Sequence, residues 1–239
     1  MKLRISRIPV ILIIATGFFM FSCTDFFTST WFPWAARDQS SLIPKITLDN
    51  IDELLQMFED DPDGSYALLQ KLKDSKGGLS DDEWNELLGA SLGAAANAVG
   101  FGQAVIGAAG NIGNIENLDG VQDVLLDALN SLSNVEGTGD ILSEILPPPG
   151  TEAFDTFTDN ASSEDLAVAA MILVLGEVSK AVDGDFEDFL DNPGNYEIPP
   201  DTQALAQAMA IVAVLADRPG SLDDDSPLKG ILDLFKLLD

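Results

Sequence analysis

After Thr47 the apolar residues of the chain recur at helical spacing, and no sustained alternation of apolar and polar residues predicts a strand. In the first such segment, Ile51, Leu54, Leu55 and Phe58 would share one face of a helix. Four pairs with capping-box spacing predict helix starts: Asn50 with Glu53, Ser80 with Glu83, Asp119 with Gln122, and Ser162 with Asp165. The pattern therefore predicts an all-α fold.

Turn sequences rich in Gly, Pro and Asp separate these predicted helices, at 60–64, 77–78, 147–150 and 199–201. The proline-rich break at 147–150 is a candidate subdomain boundary. The helix predicted after Asp119 carries Val121, Leu125, Leu129 and Leu132. A last helix is predicted after Ser226 and Pro227, with an apolar stripe of Leu228, Ile231, Leu232, Phe235 and Leu238. The whole pattern predicts roughly eight helices in an irregular bundle or a short helix-pair solenoid.

The stretch from Leu87 to Ile115 has no charged residue and is rich in Gly and Ala. We interpret it as the innermost part of the core, broken near Gly100; insertion into a membrane is the alternative, although Gly and Ala contribute weakly to transfer into lipid. Small residues at helical spacing would let neighbouring helices approach closely: Gly89, Gly93, Ala96, Gly100 and Ala104.

A weak internal similarity relates residues 166–172 to residues 205–211, at an offset of 39 residues. Helix-pair repeats have periods of about 34–47 residues. Ala-rich helices joined by short turns resemble divergent tetratricopeptide-like arrays, including those of envelope lipoproteins that accompany solute transporters. That resemblance implies a helical surface that binds another protein, and it concerns architecture rather than matched residues.

Charge narrows the classes of partner. The chain has 40 Asp and Glu against 12 Lys and Arg, no His, and a net charge of −28. Such a surface repels phosphate backbones, which argues against nucleic-acid binding. It favours cations, a partner with a basic rim, or solubility in a saline medium.

The first 22 residues have the layout of an export signal, with Lys2, Arg4 and Arg7 before an apolar run too short to span a membrane comfortably. The run ends in Met20-Phe21-Ser22-Cys23, which resembles the bacterial lipobox. The resemblance implies cleavage before Cys23 and acylation of its thiol with chains such as palmitate. The mature protein would then be held by membrane lipid in the cell envelope, on the periplasmic face or at the cell surface.

Residues 23–46 form a predicted arm between this anchor and the helical domain over 47–239. Five aromatic residues follow the lipid site closely: Phe26, Phe27, Trp31, Phe32 and Trp34. Aromatic side chains of this kind dock a segment onto a folded domain or lie at the membrane–water interface. Docking is the interpretation we favour.

Residue types exclude most catalytic chemistry. Without His, and with the one Cys acylated, nucleophile–base pairs and His-based metal sites are missing, so we expect no enzyme and no cofactor. Asp61 with Asp63, and Asp183 with Asp185, are incomplete versions of a calcium loop, and a turn with a helix cap explains each pair more simply. We therefore expect a non-catalytic interaction scaffold; a lipoprotein that binds a small ligand or calcium is the alternative.

Overall fold

The computed structural model describes residues 42–102, 104, 126–191 and 195–218. Every regular element in these ranges is a helix, which confirms the all-α prediction, and from Ile43 onward they belong to one compact unit. The α-helices are α1 (Ile51–Met57), α2 (Pro62–Ser75), α3 (Asp81–Val99), α4 (Val135–Ile145), α5 (Glu152–Asn160), α6 (Ser163–Val182), α7 (Phe186–Asp191) and α8 (Gln203–Asp217), with a 3₁₀ helix at Lys76–Gly78.

Side-chain caps begin most of these helices. Ser80 and Glu83 form the predicted capping box, in which the Glu83 N–H donates to Ser80 Oγ at 3.4 Å and the Ser80 N–H donates to Glu83 Oε2 at 2.9 Å. Ser162 likewise accepts from the Asp165 N–H at 3.0 Å. The cap predicted at Asn50 is wrong, because its side chain accepts from the Thr47 N–H and bonds the turn before α1 instead.

Helix α6 lies at the centre of the fold and packs against α3, α4 and α8. Its apolar residues are therefore buried around most of the helix: Leu166, Ala167, Ala169, Ala170, Met171, Ile172 and Leu173. Helix α8 buries only one face, formed by Ala204, Gln207, Ala208, Ile211 and Leu215. Residues 166–172 and 205–211 thus both form helices, but they occupy different surroundings.

The described part of the uncharged stretch, 87–102 and 104, lies mostly in the core, with Leu87, Leu88, Ala94 and Ala95 fully buried. Across the described ranges, none of the helices combines the length and the apolar character needed to cross a membrane. Gly100 ends α3 in a left-handed conformation at φ +69°, as a break there requires.

The predicted close approach does not occur at the glycines of this stretch, Gly89, Gly93 and Gly100. Gly89 is exposed and faces open space, and Gly93 meets only the end of the Leu55 side chain. The close crossing instead joins α4 to α6, where a Cβ on Gly139 would stand 3.1 Å from the Cα of Gly176. Two glycines that the sequence pattern did not single out therefore let these two backbones touch.

The pattern also missed or misplaced several elements. Helices α4, α5 and α7 were not predicted, and α2 begins at Pro62 within the predicted turn because Asp61 caps it. Leu132 lies beyond the helical residues 126–130. The start predicted at Asp119, the helix predicted after Ser226, and residues 105–115 lie outside the described residues.

Scarce cations join separate helices. The Lys76 ammonium group donates to the carbonyl oxygens of Glu144 and Ile145, at 3.4 and 3.3 Å, and lies 5.4 Å from the ring centroid of Trp84. It thereby caps the end of α4, where the helix dipole favours a positive charge. Lys73 adds an ion pair with Glu144 at 2.6 Å.

Candidate functional site

A partly open pocket of about 270 Å³ lies between the first turn of α4, the end of α6 and the start of α7. The described residues that line it are Leu129, Asn130, Leu132, Asn134, Val135, Glu136, Gly137, Ser179, Gly184 and Phe186. They come from two segments, 129–137 and 179–186, with 41 residues between them, so the pocket exists only in the folded protein.

The α4 side of the pocket depends on Asn134. This residue adopts a left-handed conformation at φ 51°, which Asn tolerates better than most residues. Its side-chain amide donates to Asp63 Oδ1 at 3.2 Å, and this bond ties the start of α2 to the start of α4. Gly137 lies directly beneath the Tyr66 hydroxyl, where a Cβ would overlap it. The turn at Asn134 and the glycine at position 137 therefore determine where the α4 side of the pocket lies.

The α6 side is a helix C-terminus. Asp183 and Gly184 both have positive φ, at 52° and 80°, and the Gly184 N–H donates to the Ser179 carbonyl at 3.0 Å. This is the turn that commonly ends an α-helix, and it leaves carbonyl oxygens and their partial negative charge at this end. The turn also directs the chain into α7, whose Phe186 lines the pocket.

The apolar part of the pocket lining, called the floor below, consists of Leu129, Leu132, Val135 and Phe186. Phe186 packs with Val178 and Val182 in a small cluster separate from the main core, and Leu126 and Leu129 cover it. Leu132 and Val135 continue this apolar surface on the α4 side. Since these side chains are held by packing, the floor is formed before any ligand arrives.

The surroundings of the floor are acidic. Glu136 lines the pocket, Asp183 and Asp185 flank the lining residue Gly184, and Asp63 is bonded to Asn134. None of the described lining residues is Lys or Arg. The site therefore combines apolar contact area with negative charge that no lining cation neutralises.

The nearest cation in sequence, Lys180, is engaged beside the pocket. Its ammonium group binds Asp140 and donates to Glu177 Oε1 at 2.7 Å, and the Glu177 side chain is buried. Burial by itself would lower the pKa of Lys180, but hydrogen bonds and charge attraction from Asp140 and Glu177 outweigh it and raise this pKa above 10.5. Lys180 stays charged at neutral pH, and its charge balances those two acids.

Helix α7 connects to the following segment through Tyr196. The Tyr196 hydroxyl donates to Asp188, and its ring lies 5.9 Å from the ring of Phe189. Hydrogen bonding to Asp188, with desolvation and the negative charge of Asp188, raises the pKa of Tyr196 to about 12. This contact holds the chain after α7 against the same small cluster.

The acids considered in the sequence as weak calcium candidates have other contacts. Asp61 accepts from the Gly64 N–H at 3.1 Å as the cap of α2, Asp185 accepts from the Asp188 N–H at 3.1 Å, and Asp183 ends α6. No three His, Cys, Asp or Glu side chains within the described ranges converge as a metal site would require. The fold nevertheless brings one acid of each pair beside the pocket: Asp63 is bonded to the lining residue Asn134, and Asp183 directly precedes the lining residue Gly184.

Cys23 and the arm aromatics Phe26, Phe27, Trp31, Phe32 and Trp34 lie outside the described residues, so acylation and docking of the arm stay predictions.

Sequence reasoning missed the main residues of the pocket: Asn134, Glu136, Ser179 and Phe186. The sequence after Asn134 does contain a signal for helix α4, because its buried side follows at helical spacing: Val135, Thr138, Gly139, Leu142 and Ile145. Gly137 and Gly139 obscured it, because glycine is a poor helix former.

Comparisons of this chain with known proteins bear on the site in one respect. No protein-family model, curated protein or solved structure matches the chain. The chemistry of the pocket and the pattern of the N-terminal residues are therefore the basis for a functional proposal.

Proposed function

We propose that the protein is a non-catalytic lipoprotein, anchored through acylated Cys23 to a membrane of a bacterial cell envelope, and that its helical domain binds another protein. The lipobox-like sequence before Cys23 supports the anchor. Tethering would raise the local concentration of the domain at the membrane, which strengthens capture of a partner there.

The pocket beside α4, α6 and α7 carries the binding part of the proposal. Its apolar floor and its acidic surroundings suit a Lys or Arg side chain, whose aliphatic stem would pack on Leu132 and Phe186 while its charge faces Glu136. Buried apolar contact sets the lifetime of such a complex, and charges at the rim act mainly on the association rate. The partner would therefore present a basic rim.

The finer architecture belongs to the same proposal. Helices α6 and α8 pack against each other and contain the two similar segments 166–172 and 205–211. They resemble one step of a tetratricopeptide-like array, and a transporter-associated lipoprotein of that kind is the class we propose. Its helical surface would hold a soluble component near the membrane.

The alternative is a lipoprotein that binds a small ligand or calcium in the same pocket. The observation in its favour is that one acid of each pair, Asp63 and Asp183, is bonded or adjacent in sequence to a residue that lines this pocket. Millimolar calcium separates the two ideas. We expect it to change the thermal midpoint no more than sodium chloride of matched ionic strength does, whereas a saturable rise lost on substitution of Asp63 or Asp183 would favour the alternative.

Binding is tested with the mature chain carrying Cys23→Ser, titrated by NMR with a short Lys- and Leu-containing peptide. Glu136→Lys should weaken binding about tenfold, because it reverses the charge that lines the pocket. Glu164→Lys is the control, because Glu164 is also an exposed second residue of a helix, at the opposite end of α6 from Ser179. If both changes weaken peptide binding equally, the loss comes from the change in net charge, and the proposal that the peptide binds in the pocket is contradicted.

Anchoring needs a separate measurement. The wild-type chain should incorporate labelled palmitate and fractionate with membranes, and Cys23→Ala should leave an unprocessed or soluble form. Cys23→Ala is thus the variant that isolates the lipid site, since the chain has no other Cys. Unchanged membrane fractionation and migration of Cys23→Ala would contradict the lipoprotein proposal while leaving the pocket untouched.

A further inference from the structure

The outward face of α8 is apolar from Ala206 to Ala216. Ala206, Met209, Ala213 and Ala216 are exposed, and Val212 beside them is half-buried. Met209 is 63% exposed, and no Asp, Glu, Lys or Arg occurs from Gln203 to Ala216. A surface helix of a soluble domain normally has charged or polar residues on its outward face. This face therefore has the composition of a covered one.

The chain leaves α8 at a fixed point. Arg218 directly follows the helix, and its guanidinium donates to the carbonyl oxygen of Ala161 at 3.2 Å and to that of Thr158. These contacts hold the end of α8 against the end of α5, where a positive charge is favourable. Residues 219–239 then continue from this point.

We propose that the outward face of α8 is the docking surface for the C-terminal segment of the same chain, residues 226–239. The sequence of that segment predicts a helix with one apolar stripe, containing Leu228, Ile231, Leu232, Phe235 and Leu238. As a helix, 227–238 would be about 18 Å long, and the exposed stretch of α8 from Ala206 to Ala216 measures about 17 Å. The two apolar surfaces match in length.

Connectivity and charge both favour this occupant. Residues 219–226 can span roughly 26 Å when extended, enough for the chain to turn back along α8. A segment tethered this closely has an effective concentration in the millimolar range. A second copy of the protein would have to bring another net charge of −28 against the first, which the shared repulsion opposes.

The test is a double-mutant cycle of thermal unfolding in the mature Cys23→Ser chain. Met209→Lys and Phe235→Lys should each lower the thermal midpoint by about 2–4 °C, and the double variant should lose little more than either alone, because both remove one contact. Met57→Lys is the matched control, since Met57 on α1 is also 63% exposed. Its effect should add to that of Phe235→Lys.

Two outcomes would overturn the proposal. Additive effects of Met209→Lys and Phe235→Lys would show that the two residues do not meet. A coupling that grows with protein concentration, together with a dimer in sedimentation that Met209→Lys disperses, would make a second copy the occupant. If either Lys variant fails to fold, Met209→Gln and Phe235→Gln complete the same cycle.

Discussion

Helices α6 and α8 contain related apolar segments, Leu166–Ile172 and Leu205–Ile211, in different surroundings. Ala170 is 2% exposed at the centre of the fold, whereas Met209, at the corresponding position, is 63% exposed. The isoleucines that end the two segments are both fully buried. The difference shows that the neighbours of a helix, rather than its own apolar pattern, decide how many of its faces are covered.

The two segments also differ at one polar position. Gln207 of α8 corresponds to Val168 of α6, and its buried side-chain amide donates to the carbonyl oxygens of Ser143, Leu146 and Pro147 at 3.2, 3.0 and 3.4 Å. A carbonyl-rich loop after α4 thus binds α8 on one side only. Helix α6, packed between helices, has apolar partners on most sides.

The largest expected difference between the two helices concerns their buried isoleucines. Ile172→Ala should lower the free energy of unfolding by about 3–5 kcal/mol, since neighbours on several sides of α6 prevent collapse of the cavity. Ile211→Ala should lower it by about 2–3 kcal/mol, because α8 can move inward. Urea denaturation of the Cys23→Ser chain measures both. A larger loss at Ile211 would contradict the central position of α6.

A larger side chain in the core tests the same difference between the buried α6 and the partly exposed α8. Ala170→Met places in α6 the residue that α8 has at the corresponding position, and it should cost about 1–3 kcal/mol because the core has no space for it. Ala153→Met is the control on the exposed surface of α5 and should change stability by no more than about 0.5 kcal/mol. Equal effects of the two changes would argue against close packing at Ala170.

The polar attachment of α8 comes next in size. Gln207→Leu should cost about 1–2 kcal/mol, since it leaves the carbonyl oxygens of Leu146 and Pro147 without this donor in a buried place. Gln203→Leu, one turn earlier on the same helix, removes an exposed bond to Ser143 and should cost less than about 0.5 kcal/mol. Unfolding curves that rank the two variants in the opposite order would contradict this account.

Lys180 near the end of α6 gives a pH-dependent contrast. Its raised pKa means that its stabilisation is fully present below about pH 10.5 and is lost as pH rises through the folded-state pKa. Lys180→Met should lower the free energy of unfolding by about 1 kcal/mol at pH 8, a modest value because solvent screens a third-exposed side chain. The gap from wild type should narrow at high pH. A gap that does not narrow as the pH rises beyond 10.5 would contradict the assignment.

The smallest effect is spectroscopic and lies between the two helices. The chain has two tyrosines, and absorbance near 295 nm follows their ionisation. The Tyr196 phenolate should appear only near pH 12, because its hydroxyl donates to Asp188. Asp188→Asn should move this step back toward pH 10, and Tyr196→Phe identifies it. A Tyr196 step that Asp188→Asn leaves at pH 12 would contradict the contact.

Much of this fold is predictable because long apolar helices with Ser caps carry strong local signals. The starts of α3 and α6 followed from Ser80 and Ser162, and the end of α3 followed from Gly100. The start of helix α4 did not follow, because its two glycines lower helix propensity. Both glycines have tertiary contacts that a side chain would block: Gly139 lies against α6, and Gly137 lies against Tyr66. A local pattern contains no information about such a contact.

The pocket was less predictable than the helices. Asp63 and Asp183 were weak candidates for oxygen ligands, with a turn and a helix cap as the simpler interpretation, and the structure places them beside Asn134 and Gly184, which line the pocket. The spacing of these acids in the chain could not predict that they lie near one pocket, because their positions depend on how α2, α4 and α6 pack. At Asp61 the interpretation as a turn with a helix cap is confirmed, and the weak resemblance to a calcium loop arose because the same oxygen that could bind a cation also caps a helix.

The distribution of the lysines has a consequence for the turnover of the protein. Trypsin-like proteases cut after Lys or Arg, and the chain has neither between Lys76 and Lys180. The two flanking lysines are themselves held, one by the carbonyls at the end of α4 and the other by Asp140 and Glu177. Even in the unfolded chain, a trypsin-like protease would release residues 77–180 as a single uncut peptide. Proteases that recognise acidic or apolar residues would therefore govern the lifetime of this part of the chain.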